Sequence, residues 1–372
     1  MCLRIRHPLP NKENNKTMKS STLVLAVSAL WALAPLAVAQ KAAAPADLGT
    51  LGGSYSAANG IDIANDEVVG GANVFSDAYE HAFYTNALGY LEDLESFIGV
   101  YGNSVASGIG SKGAITGTSD QLIDTEGDIA SHAFYFTTSR KGLVDLGTNG
   151  GTLAQGNATQ GGEVVGAATV ANDVAYTAFL WTSAKGIVNL NTLAHDKGLE
   201  GYNSYAFGLN GAGTAVGSSD SPDGTTHAVA WTLKTRAIVD LSTLGGSYAQ
   251  ALAVNASDTV VGFSTLLGDA QFDAFVGTVT GGITDIGTLG GSYAQANGVN
   301  DSGTVVGSSN ITGDTDVHAF IWTQAGGMVD LNTLLPDGSP FIELNSANAI
   351  AADGTIIGVG TAQDGQSHAF SW

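Results

Sequence analysis

Beyond residue 40, apolar and polar positions alternate in short runs, and no window carries a sustained 3.6-residue apolar period. The stretch from 285 to 330 shows the pattern. A small-residue phrase "DIGTLGGSYAQANGVN" runs into "DSG", then "TVVGSS", a polar loop "NITGDTD", "VHAFIWT", "QAGG" and "MVDLNT". Runs of β-branched and aromatic residues bounded by Gly, Asn and Asp predict four short strands joined by turns. In this grammar the glycine-rich phrase is the last strand of one unit, a tight crossover, and the first strand of the next.

The same grammar recurs at a fixed period, which decides the fold before any local reading does. A marker of the Asp-Leu-Gly-Thr type begins at Asp47, Asp93, Asp145, Asn189, Asp240, Asp285 and Asp330. A second marker, "HAF" or a close variant, begins at His81, His132, Thr177, His227, Asp273, His318 and His368. Both counts are seven. The expected fold is therefore all-β, a seven-bladed β-propeller of four-stranded antiparallel blades. A stacked solenoid is the rival, but its end units need polar caps and these are no more polar than the rest. The sequence ends at "SHAFSW" without a fourth strand, and "APADLGTLG" near residue 47 is a fourth strand with none before it. The N-terminal strand is thus expected to complete the last blade and close the ring.

Residues 1–39 are expected to be a signal peptide. Met18-Lys19 precedes an apolar stretch from Leu23 to Leu36 and the small-residue pattern Ala37-Val38-Ala39, and residues 1–17 read as an over-extended start. Residues 40–372 then form a single propeller domain, secreted to the periplasm or the medium, with no membrane span and as a monomer. It contains no cysteine, because the only one is Cys2. A domain of this size is held by its own core rather than by disulfides.

The whole chain has 13 basic against 34 acidic residues, and removing the leader leaves 8 against 33. Such a field repels polyanions, which argues against nucleic acid and anionic membranes as partners.

Strand parity places the crossovers and the loops between second and third strands on one face. The crossovers carry Tyr55, Tyr248 and Tyr293, with Tyr202 close by register; aromatic rings at a channel mouth suit ligand stacking, or plug between blades. The second-to-third loops are acidic. Within them Asp124, Glu126, Asp128, Asp314 and Asp316 are candidate calcium ligands, although neither loop has the spacing of a known calcium motif. No other cofactor is implied. "GTLGGS" lacks the Lys-Ser/Thr and following helix of a phosphate loop, and no nucleophile elbow or zinc motif is present. Five of the HAF markers begin with histidine and two with Thr177 or Asp273, a pattern that points to a structural hydrogen bond with the Asp of the fourth strand. Departures from the repeat are better candidates for chemistry. The largest, 189–207, holds His195, Asp196, Glu200 and Tyr202; the segment 335–346 holds Asp337 and Glu343, and 90–104 holds Glu92 and Glu95.

The recurring "DLGTLGGSYSxAxGIN", "VVGxS" and "HAFxW" resemble the HAF-repeat family of bacterial extracellular repeat proteins, over nearly the whole of residues 40–372. That resemblance implies secretion and a repeat fold, and no activity. The expected function is a non-catalytic binding module for a neutral glycan or a protein through its acidic loop face. The alternative is a carbohydrate-active hydrolase or lyase with a site near His195 and Glu200.

Overall fold

In a computed structural model, which describes residues 44–62, 67–97, 99–122, 129–137, 140–190, 192–193 and 202–372, the repeat becomes a strand order. The unit analysed above consists of Gly290–Val299, Val305–Ile311, Val317–Thr323 and Gly327–Asp330, paired antiparallel in sequence order. Successive units open at Gly52–Asp62, Ser104–Gly110, Gly150–Gln160, Ser204–Leu209, Gly245–Val254, Gly290–Val299 and Phe341–Ile350. The described residues contain strands and short 3-10 turns but no α-helix.

Burial follows the strand position. First strands alternate half-buried and buried, second strands such as Val305–Ile311 are buried on both faces, and fourth strands are half-buried to exposed. A sheet packed between two neighbours needs this gradient, because only its middle strands lose solvent on both sides. The buried clusters lie between consecutive units, not within one: Val69 and Ala82 pack with Ala106, Ile115 and Phe134, for instance. One cluster joins the first unit to the last, with Ala58, Val68 and Phe83 against Ile357 and Ala369.

The second strand of every unit has a glycine at the same place: Gly70, Gly117, Gly166, Gly217, Gly262, Gly307 and Gly358. A Cβ at Gly307 would collide with the carbonyl oxygen of Gln295 and come within 2.8 Å of the Phe320 ring, and the other six meet a first-strand carbonyl in the same way. The first strand bulges here, with a register shift between Ala296 and Gly298. The ring of the HAF phenylalanine fills the space beside the glycine; Phe83, Phe134, Phe179, Phe275, Phe320 and Phe370 are fully buried.

Units are stitched by hydrogen bonds from one to the next. Asn59 Nδ2 donates to Ala106 O, Asn157 to Ala206 O, Asn297 to Ala347 O, and Asn348 to Ala58 O, at 2.8–3.0 Å. Ser56, Ser104 and Ser204 hydroxyls accept the backbone N–H of Ala369, Ala82 and Ala178 on the third strand of the preceding unit. Ala46–Asp47 pairs antiparallel with Ser367–Ser371, Ala46 opposite Ser371, and Leu48 N–H donates to Ala369 O at 3.0 Å.

One feature of the phrase differs from expectation. "GGSY" is already paired strand, not free crossover: Gly290–Val299 starts at the first glycine of the pair, and the turn lies before it. The second glycine makes this pairing fit, because a Cβ at Gly291 would meet Asp314 Oδ1 at 2.6 Å.

The glycine–carbonyl contact has a direct test. Gly307→Ala is expected to cost about 1–3 kcal/mol through overpacking. Gly211→Ala, in open space and at an ordinary φ, is expected to leave stability unchanged or raise it by about 0.4–1 kcal/mol. Urea denaturation of both variants checks the contrast.

Candidate functional site

The marker histidines are tied to the fourth strand. His81, His132, His227 and His318 Nδ1 lie 2.9, 3.0, 2.9 and 2.7 Å from Asp93, Asp145, Asp240 and Asp330, and His368 lies 2.9 Å from Asp47. Each aspartate also accepts the backbone N–H two residues on, as Asp145 does from Gly147 at 2.7 Å. The pair therefore joins the third strand to the turn that leads into the next unit. Hydrogen bonds from His132 and Gly147 hold the Asp145 carboxyl below its ordinary range against the opposing effect of burial, the largest single influence on it.

Around His227 a hydroxyl completes a chain that looks like a nucleophile, base and acid. Thr225 Oγ1 is 2.8 Å from His227 Nε2, and His227 Nδ1 is 2.9 Å from Asp240. The Thr225 hydroxyl, however, donates to Asp223 at 2.5 Å, so its single proton is not directed at the imidazole. It bridges ring and carboxylate and is not presented as a nucleophile.

The acidic loops bind backbone. Asp77 Oδ1 accepts Ser54 N–H at 2.6 Å, and Asp173, Asp269 and Asp314 do the same for Thr152, Ser247 and Ser292. These bonds hold Asp77, Asp269 and Asp314 below the ordinary carboxylate range; for Asp173 the Thr169 hydroxyl is the larger cause. Of the calcium candidates, Asp314 is engaged in this way. Asp314 closes its own crossover, and among the described residues no group of three or more His, Cys, Asp or Glu is gathered to hold a metal. Asp124, Glu126 and Asp128 lie outside the described residues.

The first strands converge instead on a cavity of about 350 Å³ at their C-terminal ends, on the face opposite the crossovers. Ile61, Ile109, Val254, Val299 and Ile350 give it aliphatic walls, and Asp62, Ser111, Gln160, Asn255, Asn300 and Asp301 line its polar mouth. Asn210, Asn255 and Asn300 form a ladder around it: each Nδ2 donates to the backbone carbonyl at the equivalent place in the next unit, at 2.9, 2.9 and 3.3 Å. The Oδ1 atoms accept turn N–H groups, as Asn255 does from Ser257 and Thr259. Ser111 N–H donates to Gln160 Oε1 across another junction.

The tyrosines do not line this cavity. Tyr248 and Tyr293 sit with Phe263 and Phe272 in one aromatic cluster between units, ring centroids 5.6–6.4 Å apart. Their hydroxyls bond to Gln250 and Gln295. Tyr55 opens furthest to solvent, at 36% exposure, and Tyr202 is half-buried just before Ser204–Leu209. His195, Asp196 and Glu200 lie outside the described residues. Glu343 lies 3.7 Å from His318 Nε2 and accepts from Asn345. Sequence reading missed the axial cavity, although the recurring asparagines of "ANGID" and "ANGVN" were a readable signal: polar residues on an innermost strand need partners.

In the fifth unit Asp273 replaces the histidine and is 4% exposed. Gln271 Nε2 donates to its Oδ1 at 2.6 Å. Burial, reinforced by the neighbouring Asp285 carboxylate, pushes its pKa up to about 6.

No known family model matches the chain, and no curated protein matches it in sequence. Among solved structures it is similar to a puromycin-hydrolyzing peptidase of Mycobacterium tuberculosis, at 10% identity over 88% of this chain and 53% of that one, with a TM-score of 0.53. It is also similar to TolB from Acinetobacter baumannii (12% identity, 69% and 63% covered, TM-score 0.42). A third is the β-propeller domain of the Trilobed protease from Pyrococcus furiosus (7%, 72% and 82%, TM-score 0.45). The chain thus spans less than two-thirds of the length of the peptidase and of TolB. At such identities the likeness is one of fold, all-β and of the propeller type. Among the described residues no helix is long and apolar enough to cross a membrane.

These neighbours correct the functional expectation. A solved structure that it matches with a TM-score above 0.5 is a puromycin-hydrolyzing peptidase, and the secreted glycan- or protein-binding module through the acidic loop face is withdrawn. So is the carbohydrate-active enzyme near His195 and Glu200. Among the described residues, Asp77, Asp269 and Asp314 are occupied in holding their own crossovers.

The Asp273 pair predicts a pH dependence of stability. A folded-state pKa of about 6 against 3.8 in the unfolded chain means that the fold binds the proton more tightly. The stabilisation it gives is complete below about pH 4 and is lost as pH rises through 6. Asp273→Asn keeps the acceptor for Gln271 and removes the charge. Relative to the variant, the parent is expected to lose about 1–3 kcal/mol between pH 4 and 7. Urea midpoints of both proteins across that range measure it; parallel pH profiles contradict it.

Proposed function

We propose that the chain is a seven-bladed β-propeller of the peptidase type, closed by Ala46–Asp47 on the last blade, whose axial cavity admits an extended polypeptide segment. Closure is supported by the strand pairing of Ala46–Asp47 with Ser367–Ser371, by the Asn348-to-Ala58 hydrogen bond, and by the buried cluster shared by first and last units. The assignment to HAF-repeat proteins, with export directed by residues 18–39, belongs to the same proposal and rests on the motifs alone.

The observation that carries the functional reading is the lining of the cavity. Aliphatic side chains from five units alternate with amide, hydroxyl and carboxylate groups from neighbouring positions. This mixture matches a polypeptide, whose backbone amides need partners while its side chains need apolar walls. Asp62 and Asp301 at the mouth, in a chain of net charge −21, favour an amino terminus or a lysine- or arginine-containing segment. Bond cleavage is not assigned to this chain: the Thr225 hydroxyl is engaged by Asp223, and nearly half of the similar peptidase lies outside the matched part.

Fluorescence anisotropy tests this with a labelled unstructured basic peptide, an acidic peptide of equal length, and a neutral oligosaccharide. The basic peptide is expected to bind at low salt and weaken as salt rises, and Asp301→Asn is expected to reduce its affinity about 3–10-fold. Equal binding of all three ligands, or none by the basic peptide, refutes the reading.

A further inference from the structure

A second cleft, of about 520 Å³, lies between the third and fourth units. The third unit supplies Leu180, Thr182, Lys185 and Val188, and the fourth supplies Leu233, Lys234 and Arg236. Three of the eight basic residues beyond residue 39 thus meet at one cleft of an otherwise acidic chain.

Arg236 also breaks a rule of the repeat. It stands four residues after Thr232 in the hairpin between third and fourth strands, with φ of 57°. At the same spacing other units place Gly89, Gly186, Gly282 and Gly327, all with φ between 66° and 80°. Left-handed backbone suits glycine and strains a residue with a Cβ. Arg236 N–H bonds to Thr232 O at 2.7 Å, so the strained turn is well made. Its counterparts avoid this strain, which singles out the Arg236 side chain.

We propose that this cleft binds an aliphatic carboxylate: either a free acid or the carboxyl end of a peptide whose last side chain is aliphatic. Leu180, Val188 and the buried Leu233 form the apolar floor, and the three cations surround it. A guanidinium presents two parallel N–H donors that match the two oxygens of a carboxylate, with the lysines adding charge. Among the described residues of the lining Glu163 is the one carboxylate, and three cations beside it suit a monoanion. This site is separate from the axial cavity and does not depend on what the cavity admits.

Isothermal titration calorimetry on the full chain tests it with four probes: octanoate, acetyl-Ala-Leu with a free carboxylate, the same dipeptide as its amide, and inorganic phosphate. The free-carboxylate dipeptide is expected to bind at least about 10-fold more tightly than the amide. Arg236→Gly restores the residue that the turn prefers, so it is expected to raise the melting temperature while weakening the acid about 10-fold or more. Binding of octanoate alone, lost in Arg236→Gly, identifies a free acid as the ligand; binding of the dipeptide acid identifies a peptide end. Neither acid binding, amide or phosphate binding as well as the acids, or full affinity in a stably folded Arg236→Gly protein overturns the proposal.

Discussion

The absence of a side chain at one second-strand position carries this architecture. Each of the seven glycines from Gly70 to Gly358 lies against a first-strand carbonyl with no room for a Cβ. That contact lets the first strand bulge inward, and the bulge lets the HAF phenylalanine lie flat beside the glycine. Sheet packing then follows: phenylalanines buried between units replace the single central core that a domain of this size would otherwise need. The small residues of the first strands serve the same end, since a Cβ at Gly108 or Gly208 would come within 2.9 Å of the next unit's backbone.

Bringing first strands so close creates a second requirement, because their backbone carbonyls become buried and must be satisfied. Asparagines on the inner strand meet it, each reaching to the next unit, and serine hydroxyls take up third-strand N–H groups in the same direction. The scaffold is thus a repeating polar lattice with little unassigned chemistry. Function then concentrates where the lattice is altered or where it ends, at the axial cavity and at the cleft around Arg236.

Much of this order was legible in the sequence. The paired markers gave the unit boundaries, and histidine's exchange for Thr177 or Asp273 pointed to a hydrogen bond with the fourth-strand aspartate, which the structure contains. The start of the first strand was misplaced because "GGSY" reads as a turn; only the partner loop, with Asp314 seated over Gly291, explains why two glycines stand in a paired strand. The functional face was misjudged for a related reason. Acidic loops look like ligands in one dimension, and their targets, the N–H groups of Ser54, Ser247 and Ser292, lie over 20 residues away. The cavity was hard to see because one to three residues of each of several units make it, and only the recurring inner-strand asparagines signalled it. The significance of Arg236 depends on a dihedral angle, which the sequence does not display.

A closed propeller requires the first described strand, Ala46–Asp47, to belong to the last unit. Hydrogen exchange read residue by residue by NMR measures this at two amides, Leu48 N–H, which donates to Ala369 O, and Ala369 N–H, which donates to Ser56 Oγ. Closure predicts that both exchange as slowly as the second-strand amides of Val306 and Val261, opening only with global unfolding. Exchange of both at near-unfolded rates, while Val306 and Val261 stay protected, would contradict it.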